Sequence, residues 1–454
     1  MSEAGISSEP PAKRALVFRL PGKESADNAH ILMRALEKVG IPGELCPYWP
    51  DGEASWETET VLLEREIGSA PRLTAVEFQQ RFGFELDLVE LSLHQFATEP
   101  LTPELLLPES KWRQHLRGVA VLAAERMKAS GADVVFVAHG AETVSRIIAE
   151  MAAHLGLRFL YWESGFFPGY VYVDPWAPHF FRGEAWIDSL PLPDEPSPET
   201  IAFLADWRKK RLSKYAQTQR SLPPAVVDWV SRDNRPILFL PGQVPTDANV
   251  VVSLGNYDSL AELYEDVLRR IPTSWRILYK PHPKATLALP PNALLPSDRF
   301  LSTDIDIYDA FDLAEAILTV SSNVGLEAAM YGKDLFILGQ PVYAGRGIEK
   351  CILSLYDRDR CSKNFISGSH LNNTYGFIDT LMKSSLINDK GEDTLTKIIN
   401  ACQLKRPKSR SSFYEVSNRK IKRVSKAYKK SKLQTKLSLS SLWRSVINIL
   451  EHQK

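Results

Sequence analysis

Hydrophobic residues in this chain form short runs that alternate with longer stretches in which apolar positions recur at helical spacing. Apolar runs of four to six residues are typical of buried strands in parallel sheets. They occur at 15–20, 133–138, 158–162, 236–240, 275–280, 316–320 and 335–338. Stretches with helical spacing occur at 25–39, 112–130, 142–155, 207–220, 260–270 and 307–313. This alternation of strand and helix predicts an α/β protein built from Rossmann-like units.

The order of these patterns predicts two such units and a separate C-terminal part. Residues 1–13 lack any pattern and are predicted to be disordered, and a proline-rich connection at 190–225 separates the two series of strands. The predicted domains are an N-terminal Rossmann-like domain (14–205), a C-terminal Rossmann-like domain (206–350), helices that pack back on the body (351–402) and a basic tail (403–454). The tail ends in an apolar stripe at helical spacing between Leu439 and Leu450.

Composition and charge narrow the classes of protein. Hydrophobic residues make up 44% of the chain, and no apolar run approaches the roughly 20 residues that a membrane helix needs. The N-terminus has no apolar segment of a secretory signal, and the four cysteines show no metal-ligand spacing. We therefore expect a cytoplasmic protein without a metal site.

The net charge of zero hides an uneven distribution. Residues 401–454 carry 15 Lys and Arg against 2 Asp and Glu, whereas residues 1–400 carry 40 against 53. A basic segment beside an amphipathic helix favours peripheral binding to the anionic inner membrane. The alternative is a solvated charge run with a helix docked on the body. A nucleic-acid partner is not expected, because no recognition module is present.

The segment Ala314–Gly347 contains the strongest functional pattern. A strand at 316–320 is followed by the polar turn Ser321, Ser322 and Asn323 and by a helix that is predicted to open at Gly325. Backbone N–H groups and the helix dipole at such a turn favour a bound phosphate. Glu327, inside the helix, is suited to accept hydrogen bonds from ribose hydroxyls. This segment predicts a nucleotide site.

A second motif, Lys280-Pro281-His282-Pro283, ends the strand at 275–280. Proline on both sides of His282 fixes the backbone, and the carboxyl ends of parallel strands are where open α/β sheets bind ligands. Lys280 and His282 are therefore expected to bind the same phosphate. The alternative is that His282 caps the strand and Lys280 is solvated.

Three further loops are candidates with simpler alternatives. Gln243 follows the strand at 236–240 and is predicted to contact the base or sugar, unless its loop serves only turn geometry. Tyr343 and Gly345 predict close approach of a backbone to a ligand, or a plain glycine turn. His139 ends the strand at 133–138 and could contact the acceptor or a donor carboxylate, or cap the strand.

Two tandem Rossmann-like domains with a nucleotide site in the second form the arrangement of GT-B glycosyltransferases, which bind ligands in the cleft between domains. The assembled motifs resemble the capsule polysaccharide biosynthesis family of bacterial retaining β-Kdo glycosyltransferases. The matching segments are 163–175 (ESGFFPGYVYVDP), 241–250 (PGQVPTDANV), 280–283 (KPHP), 321–333 (SSNVGLEAAMYGK) and 339–347 (GQPVYAGRG). The loop at 339–347 continues as Ile-Glu-Lys, where the family usually has Leu-Thr.

The resemblance implies transfer of Kdo from CMP-β-Kdo, with retention, to a glycan or glycolipid acceptor, and without a cofactor. It maps the reaction centre to Glu163 and Asp174. Retention requires two displacements and a covalent glycosyl-enzyme intermediate. We predict that Asp174, at the end of an extended run, is the nucleophile, and that Glu163 acts as base on the acceptor hydroxyl or positions it. Purely structural roles for both carboxylates are the alternative.

Two other functions fit the same motifs. One is a sialyltransferase-like or other nucleotide-sugar transferase with the same phosphate-binding groups. The other is a non-catalytic scaffold that binds nucleotide or glycan and is recruited to the membrane by its tail. Release of CMP from a donor distinguishes an enzyme from a scaffold.

Overall fold

The computed structural model describes residues 12–20, 23–47, 70–98, 107, 109–214, 221–285, 295–356 and 368–402. The predicted basic tail at 403–454 and nearly all of the predicted disordered N-terminus lie outside these residues, and so do parts of the predicted domains. The described chain folds around two β-sheets, each with helices packed against it.

The first sheet has six strands in the order β2-β1-β3-β4-β5-β11. Its strands are β1 (Ala15–Arg19), β2 (Gly43–Pro47), β3 (Val134–Ala138), β4 (Arg158–Ser164), β5 (Val171–Asp174) and β11 (Leu386–Ile387). Strands β2, β1, β3 and β4 are parallel, whereas β5 runs antiparallel to both β4 and β11. All five residues of β3, VVFVA, are buried, as expected for a central strand covered on both faces.

The second sheet has five parallel strands in the order β10-β9-β6-β7-β8. Its strands are β6 (Ile237–Pro241), β7 (Arg276–Lys280), β8 (Phe300–Ser302), β9 (Ala316–Thr319) and β10 (Asp334–Ile337). The central strand β6, ILFLP, is buried along its whole length.

Helices connect these strands and cover both sheets. In chain order they are α1 (Lys23–Lys38), α2 (Ala75–Phe82), α3 (Leu88–Leu91), α4 (Leu93–Thr98), α5 (Lys111–Ser130), α6 (Thr143–His154), α7 (Trp186–Ser189), α8 (Pro198–Lys210), α9 (Pro224–Ser231), α10 (Ala248–Ser253), α11 (Leu260–Arg270), α12 (Ile307–Leu313), α13 (Asn323–Met330), α14 (Leu353–Tyr356), α15 (Gly368–Ser384) and α16 (Glu392–Ala401). Residue Gly131 ends α5 in the left-handed conformation with φ 62°, as its predicted C-cap role requires.

The order of the strands shows where each sheet is expected to bind a ligand. In the second sheet the chain moves from β6 to one side and then crosses to β9 on the other, so the β6 and β9 ends flank a switch point. In the first sheet the corresponding pair is β1 and β3. Ligands of open α/β sheets bind outside the carboxyl ends of strands at such points. Residues from both edges line one cleft, which confirms the predicted α/β class and GT-B arrangement.

The C-terminal part of the described chain returns to both units. Helix α15 contacts α8 and α13, and α16 contacts α1. Between these two helices, β11 pairs with β5 and extends the first sheet. The two-residue strand β11 was not predicted from the sequence, and neither was β2.

Two predicted helix boundaries are wrong. The basic helix predicted at 207–220 begins instead at Pro198 as α8 (Pro198–Lys210), because Ser197 caps it and Arg211 ends it with φ 49°; residues 215–220 of the prediction lie outside the described residues. The helix predicted to open at Gly325 begins two residues earlier, because the Ser322 side chain accepts a hydrogen bond from Val324 and acts as its N-cap. Among the described residues, no helix combines the length and the apolar character needed to cross a membrane.

Candidate active site

A cavity of about 690 Å³ lies between the two sheets. The first unit contributes Glu24, His139, Glu163, Ser164, Phe166 and His179, and the connection between the units contributes Ser213 and Lys214. The second unit contributes the segments 241–244, 280–284, 304–307 and 321–324, together with Asp247, Asn249, Val250 and Glu327. The cavity is thus formed by the carboxyl ends of strands from both sheets.

The second-unit wall contains the predicted nucleotide residues. Ser321, Ser322 and Asn323 line the cavity at the start of α13, and Lys280 and His282 line it from the end of β7. The structure therefore brings together two motifs that are about forty residues apart in the sequence. Their binding roles remain predictions.

Gln243 holds the β9–α13 turn in place. Its side-chain oxygen accepts hydrogen bonds from the backbone N–H groups of Val320 (3.0 Å) and Ser321 (3.2 Å) and from the hydroxyl of Thr319 (3.2 Å). Its amide nitrogen donates to Ser321 Oγ at 3.2 Å. The side chain is buried and also lines the cavity. Gln243 therefore supports the turn Ser321–Asn323, called the phosphate turn below after its predicted ligand.

His282 has a defined proton arrangement. The backbone N–H of Lys284 donates to His282 Nδ1 at 3.1 Å, so Nδ1 is an acceptor and the ring proton of the neutral form lies on Nε2. Burial lowers the pKa of His282, and Lys280 and Lys284 lower it further, whereas Asp247 raises it. A neutral His282 can donate its Nε2–H to an anion in the cavity. Lys280 is paired with the exposed carboxylate of Asp304.

Glu327 is a buried carboxylate on the cavity wall. Its Oε1 accepts a hydrogen bond from the backbone N–H of Lys214 at 3.1 Å, whereas Oε2 is buried and has no hydrogen-bond partner. Burial raises the pKa of Glu327 to about 7, although the hydrogen bonds from Lys214 and Ser213 oppose the shift. An unsatisfied buried carboxylate oxygen is costly unless a ligand supplies a donor.

The first-unit wall contains a carboxylate–imidazole pair, Glu163 and His179. The Nδ1 atom of His179 contacts Glu163 Oε1, and both side chains are nearly buried while lining the cavity. His179 was not identified from the sequence. Its Ala-Pro-His setting, similar to the Lys-Pro-His segment at 280–282, was the available signal.

His139 lies on the neighbouring strand end. Its backbone N–H donates to the carbonyl of Trp162 at 2.7 Å, which joins the end of β3 to β4 one residue before Glu163. The side chain of His139 lines the cavity, and its Nδ1 lies 2.8 Å from Glu142 Oε1.

The structure places Asp174, the predicted nucleophile, away from the cavity. Asp174 is fully buried and is not among the residues that line the cavity. Its two oxygens accept five hydrogen bonds, from the Tyr172 hydroxyl and from the backbone N–H groups of residues 176, 177, 186 and 187. Burial raises the pKa of Asp174, and these backbone donors oppose that rise. Asp174 organises the loop at 176–187, which carries His179.

Tyr343 and Gly345 also lie outside the cavity lining, in contrast to their predicted contact with the donor. Tyr343 is fully buried beneath the phosphate turn, where its hydroxyl donates to the Ser322 carbonyl. Gly345 adopts φ 70°, and its N–H donates to Glu349 at 2.6 Å. The glycine serves turn geometry.

The loop at 339–347 instead joins the two units through arginine side chains. Arg182 donates to the carbonyls of Val342 at 2.7 Å and Ala344 at 2.8 Å. In the opposite direction, Arg346 donates to the carbonyls of Ile187 at 2.6 Å and Leu190 at 2.9 Å. The loop therefore fixes the first unit against the second beside the cavity.

Charged side chains also meet across the mouth of the cavity. Glu24, in the first turn of α1, accepts from Lys284 Nζ at 3.3 Å through one carboxylate oxygen and from Ser164 Oγ at 3.4 Å through the other. Glu24 and Lys284 were not identified as site residues from the sequence. Only the folded cleft brings these distant positions together.

Comparison with known proteins finds similarity that centres on the second unit. Residues 195–351 match the sequence model of the family described as capsule polysaccharide biosynthesis protein. Capsule polysaccharide modification protein LipA of Neisseria meningitidis is 30% identical over 132 residues, covering 28% of this chain and 19% of LipA. Protein FixF of Sinorhizobium fredii is 26% identical over 223 residues, covering 46% of this chain and 49% of FixF.

A third relative is the lipopolysaccharide-processing protein LpsZ of Rhizobium meliloti, 27% identical over 146 residues, with 30% of this chain and 31% of LpsZ covered. The chain thus spans between about a fifth and about half of the length of these three curated relatives.

Solved structures show only distant likeness. The β-Kdo 2,7 transferase of Thermosulfurimonas dismutans KpsC has a TM-score of 0.39 at 16% identity, with 67% of this chain and 90% of that chain covered. The KpsC β-Kdo 2,4 transferase has a TM-score of 0.37 at 20% identity, with 54% and 79% covered. Likeness at this level carries no functional weight. The family match, by contrast, confirms the resemblance predicted from the motifs over residues 195–351, which are similar to the family described as capsule polysaccharide biosynthesis protein.

Proposed function

We propose that this protein is a glycosyltransferase that moves Kdo from CMP-β-Kdo to a saccharide acceptor during synthesis of a bacterial surface polysaccharide. The observation that supports it best is the cavity itself, which is lined by the Ser321–Asn323 turn of the second unit and by the Glu163–His179 pair of the first. The family of residues 195–351 supports the polysaccharide context.

The nucleotide monophosphate occupies the second-unit wall. Its phosphate lies at the first turn of α13, where helix N–H groups, the hydroxyls of Ser321 and Ser322 and the Nε2–H of His282 act as donors. Lys280 leaves its exposed partner Asp304 to pair with the phosphate. The ribose lies against Glu327, whose unpartnered Oε2 accepts a hydroxyl hydrogen bond. This set stabilises the negative charge that develops on the CMP leaving group.

The sugar then lies between the phosphate and Glu163. In the first step a Glu163 oxygen attacks the anomeric carbon, the bond from that carbon to the phosphate oxygen breaks, and the electron pair leaves with CMP. In the second step the acceptor hydroxyl attacks the same carbon and releases the Glu163 carboxylate. With its Nδ1–H bonded to Glu163, His179 presents Nε2 as the base that takes the acceptor proton. Two displacements retain the configuration.

The acceptor enters from the first-unit side, near Glu24 and Ser164. We propose a lipid-linked saccharide as the acceptor and an enzyme peripheral to the inner membrane, held there by the basic segment at 403–454. The 15 cationic residues counted from 401 onward would contribute about 1 kcal/mol each when near an anionic leaflet.

The first experiment is a donor screen that measures release of CMP, UDP and GDP from candidate sugar nucleotides. We expect CMP release from CMP-Kdo, loss of this activity in Glu163→Gln, and full activity in Glu85→Gln. Glu85 is an exposed glutamate outside the cavity lining and serves as the matched control. Release of UDP or GDP instead of CMP would identify a different donor. No release of any nucleotide would indicate a non-catalytic binding scaffold.

Intact-protein mass spectrometry with donor and without acceptor tests the first step. We expect a sugar adduct that maps to the peptide containing Glu163 and is absent in Glu163→Gln. An adduct on another residue, or a product of inverted configuration without any adduct, would refute Glu163 as the nucleophile.

A further inference from the structure

His139 is held in a backbone conformation that its residue type rarely adopts. Its φ is 58°, in the left-handed region, and Gly140 follows with φ 81°. A Cβ on Gly140 would lie 2.5 Å from Tyr161 Cδ1 and 2.6 Å from Pro178 Cγ, so the turn fits only glycine there. Strained residues of this kind persist where surrounding structure fixes them, and they concentrate at ligand sites. The strain here places His139 on the cavity wall.

The ring of His139 is a fixed positive charge. Burial lowers the pKa of His139, but the carboxylate of Glu142, 2.8 Å away, outweighs this and the pKa is raised to about 9. Burial acts to raise the pKa of Glu142, yet His139 brings it down to about 2. Both groups are therefore charged at neutral pH.

Two further carboxylates raise the pKa of His139, and a neighbouring imidazole is neutral. Glu163 on β4 and Asp247 at the start of α10 raise the pKa of His139 further. On α4, His94 is neutral at pH 7, because burial lowers its pKa to about 4. With Nδ1 turned to Glu142, the Nε2–H of His139 remains as the donor toward a ligand. The ring centroids of His139 and Phe180 lie 5.1 Å apart, and this packing limits the orientation of the imidazolium.

The position of this charge matters for the chemistry of the donor. In an ulosonic acid the anomeric carbon carries a carboxylate, so the attacking Glu163 oxygen approaches a centre that bears a negative group. Repulsion between the two carboxylates opposes the attack unless a cation lies beside them. His139 is bonded through its backbone to Trp162, the residue immediately before Glu163.

We propose that the imidazolium of His139 binds the carboxylate of the donor sugar beside the carbon that Glu163 attacks, and thereby selects 2-keto acid sugars over neutral sugars. Glu142 is the positioning residue that keeps the ring charged and oriented. This inference rests on the proposed function, because it assumes that a CMP-linked sugar occupies the cavity.

Calorimetric measurement of the affinities for CMP and CMP-Kdo tests the role of His139 separately from the proposed function. In His139→Asn, which keeps a residue type that tolerates the left-handed conformation, we expect at least about a tenfold loss of affinity for CMP-Kdo and less than a twofold change for CMP. Equal effects on both probes, or no effect on either, would overturn the inference. Failure of the native protein to bind CMP would instead overturn the proposed function.

A second variant tests the charge without removing the ring. In the native protein we expect the affinity advantage of CMP-Kdo over CMP to persist at neutral pH and to disappear above about pH 9. Glu142→Gln removes the main group that holds the proton on His139, so the advantage should disappear at a lower pH. A pH profile that is identical in the native protein and Glu142→Gln would contradict a binding role for the charge, because a structural role alone predicts no shift.

Discussion

Replacing Gln243 tests how the phosphate turn is built. Gln243→Leu removes four hydrogen bonds and leaves the N–H groups of Val320 and Ser321 without their acceptor. An unsatisfied buried donor costs about 1–3 kcal/mol, so the pair costs at least about 2 kcal/mol. Because each 1.4 kcal/mol is about a tenfold change in an equilibrium constant, local opening of this turn should increase more than tenfold.

Hydrogen–deuterium exchange of the peptide covering 316–330 measures this opening directly. We expect faster exchange in Gln243→Leu, together with weaker CMP binding. Gln340→Leu is the matched control, since Gln340 is an exposed glutamine outside the cavity lining. Exchange of this peptide and CMP affinity that are both unchanged in Gln243→Leu would refute the argument that Gln243 supports the turn.

Four further predictions test other parts of the structure. Gly325→Ala places a Cβ 2.5 Å from the Tyr343 hydroxyl and should lower the free energy of unfolding by about 1–3 kcal/mol. Adding Tyr343→Phe should recover part of this loss in thermal unfolding. If the effects of the two substitutions simply add, the contact is contradicted. Because burial raises the pKa of Glu327 from 4.5 to about 7, its stabilising contribution is full below pH 4.5 and is lost as pH rises through 7, by about 3 kcal/mol at most. Glu327→Gln should therefore show a smaller fall in melting temperature between pH 5 and 8 than the native protein; equal falls would argue against the buried acid. Transfer should survive EDTA, since Lys280, His282 and helix N–H groups suffice for one phosphate, and complete loss would indicate a metal-dependent donor. Removing the residues after 402 should reduce co-sedimentation with anionic liposomes, and unchanged binding would exclude the tail as the membrane contact.

The sequence predicted most of the parallel strands to within two residues, because runs such as VVFVA and ILFLP are buried on both faces and have no alternative to a central position. The grouping of Lys280, His282 and the Ser321–Asn323 turn on one wall of the cavity follows for a similar reason. Its residues follow directly after strands, and parallel topology then brings those strand ends to one edge.

The arrangement of the first-unit wall is harder to predict from sequence, because side-chain positions there depend on tertiary contacts. Asp174 and Glu163 both lie in or at the end of strands of the same sheet, and no sequence pattern distinguishes them. The difference arises from the loop at 176–187, whose backbone N–H groups surround Asp174 while its His179 reaches Glu163. Strand β11 was missed because two residues carry no periodic signal.

The late return of the chain to the first sheet has a practical consequence for where this protein can be shortened. The family match stops at residue 351, yet among the described residues the outer edge of β5 pairs with the strand at Leu386–Ile387, which lies beyond the match. A polypeptide that kept the first sheet but ended at residue 351 would expose an unpaired edge of β5, which invites self-association. Truncations intended to keep the first sheet intact should therefore extend at least through α16.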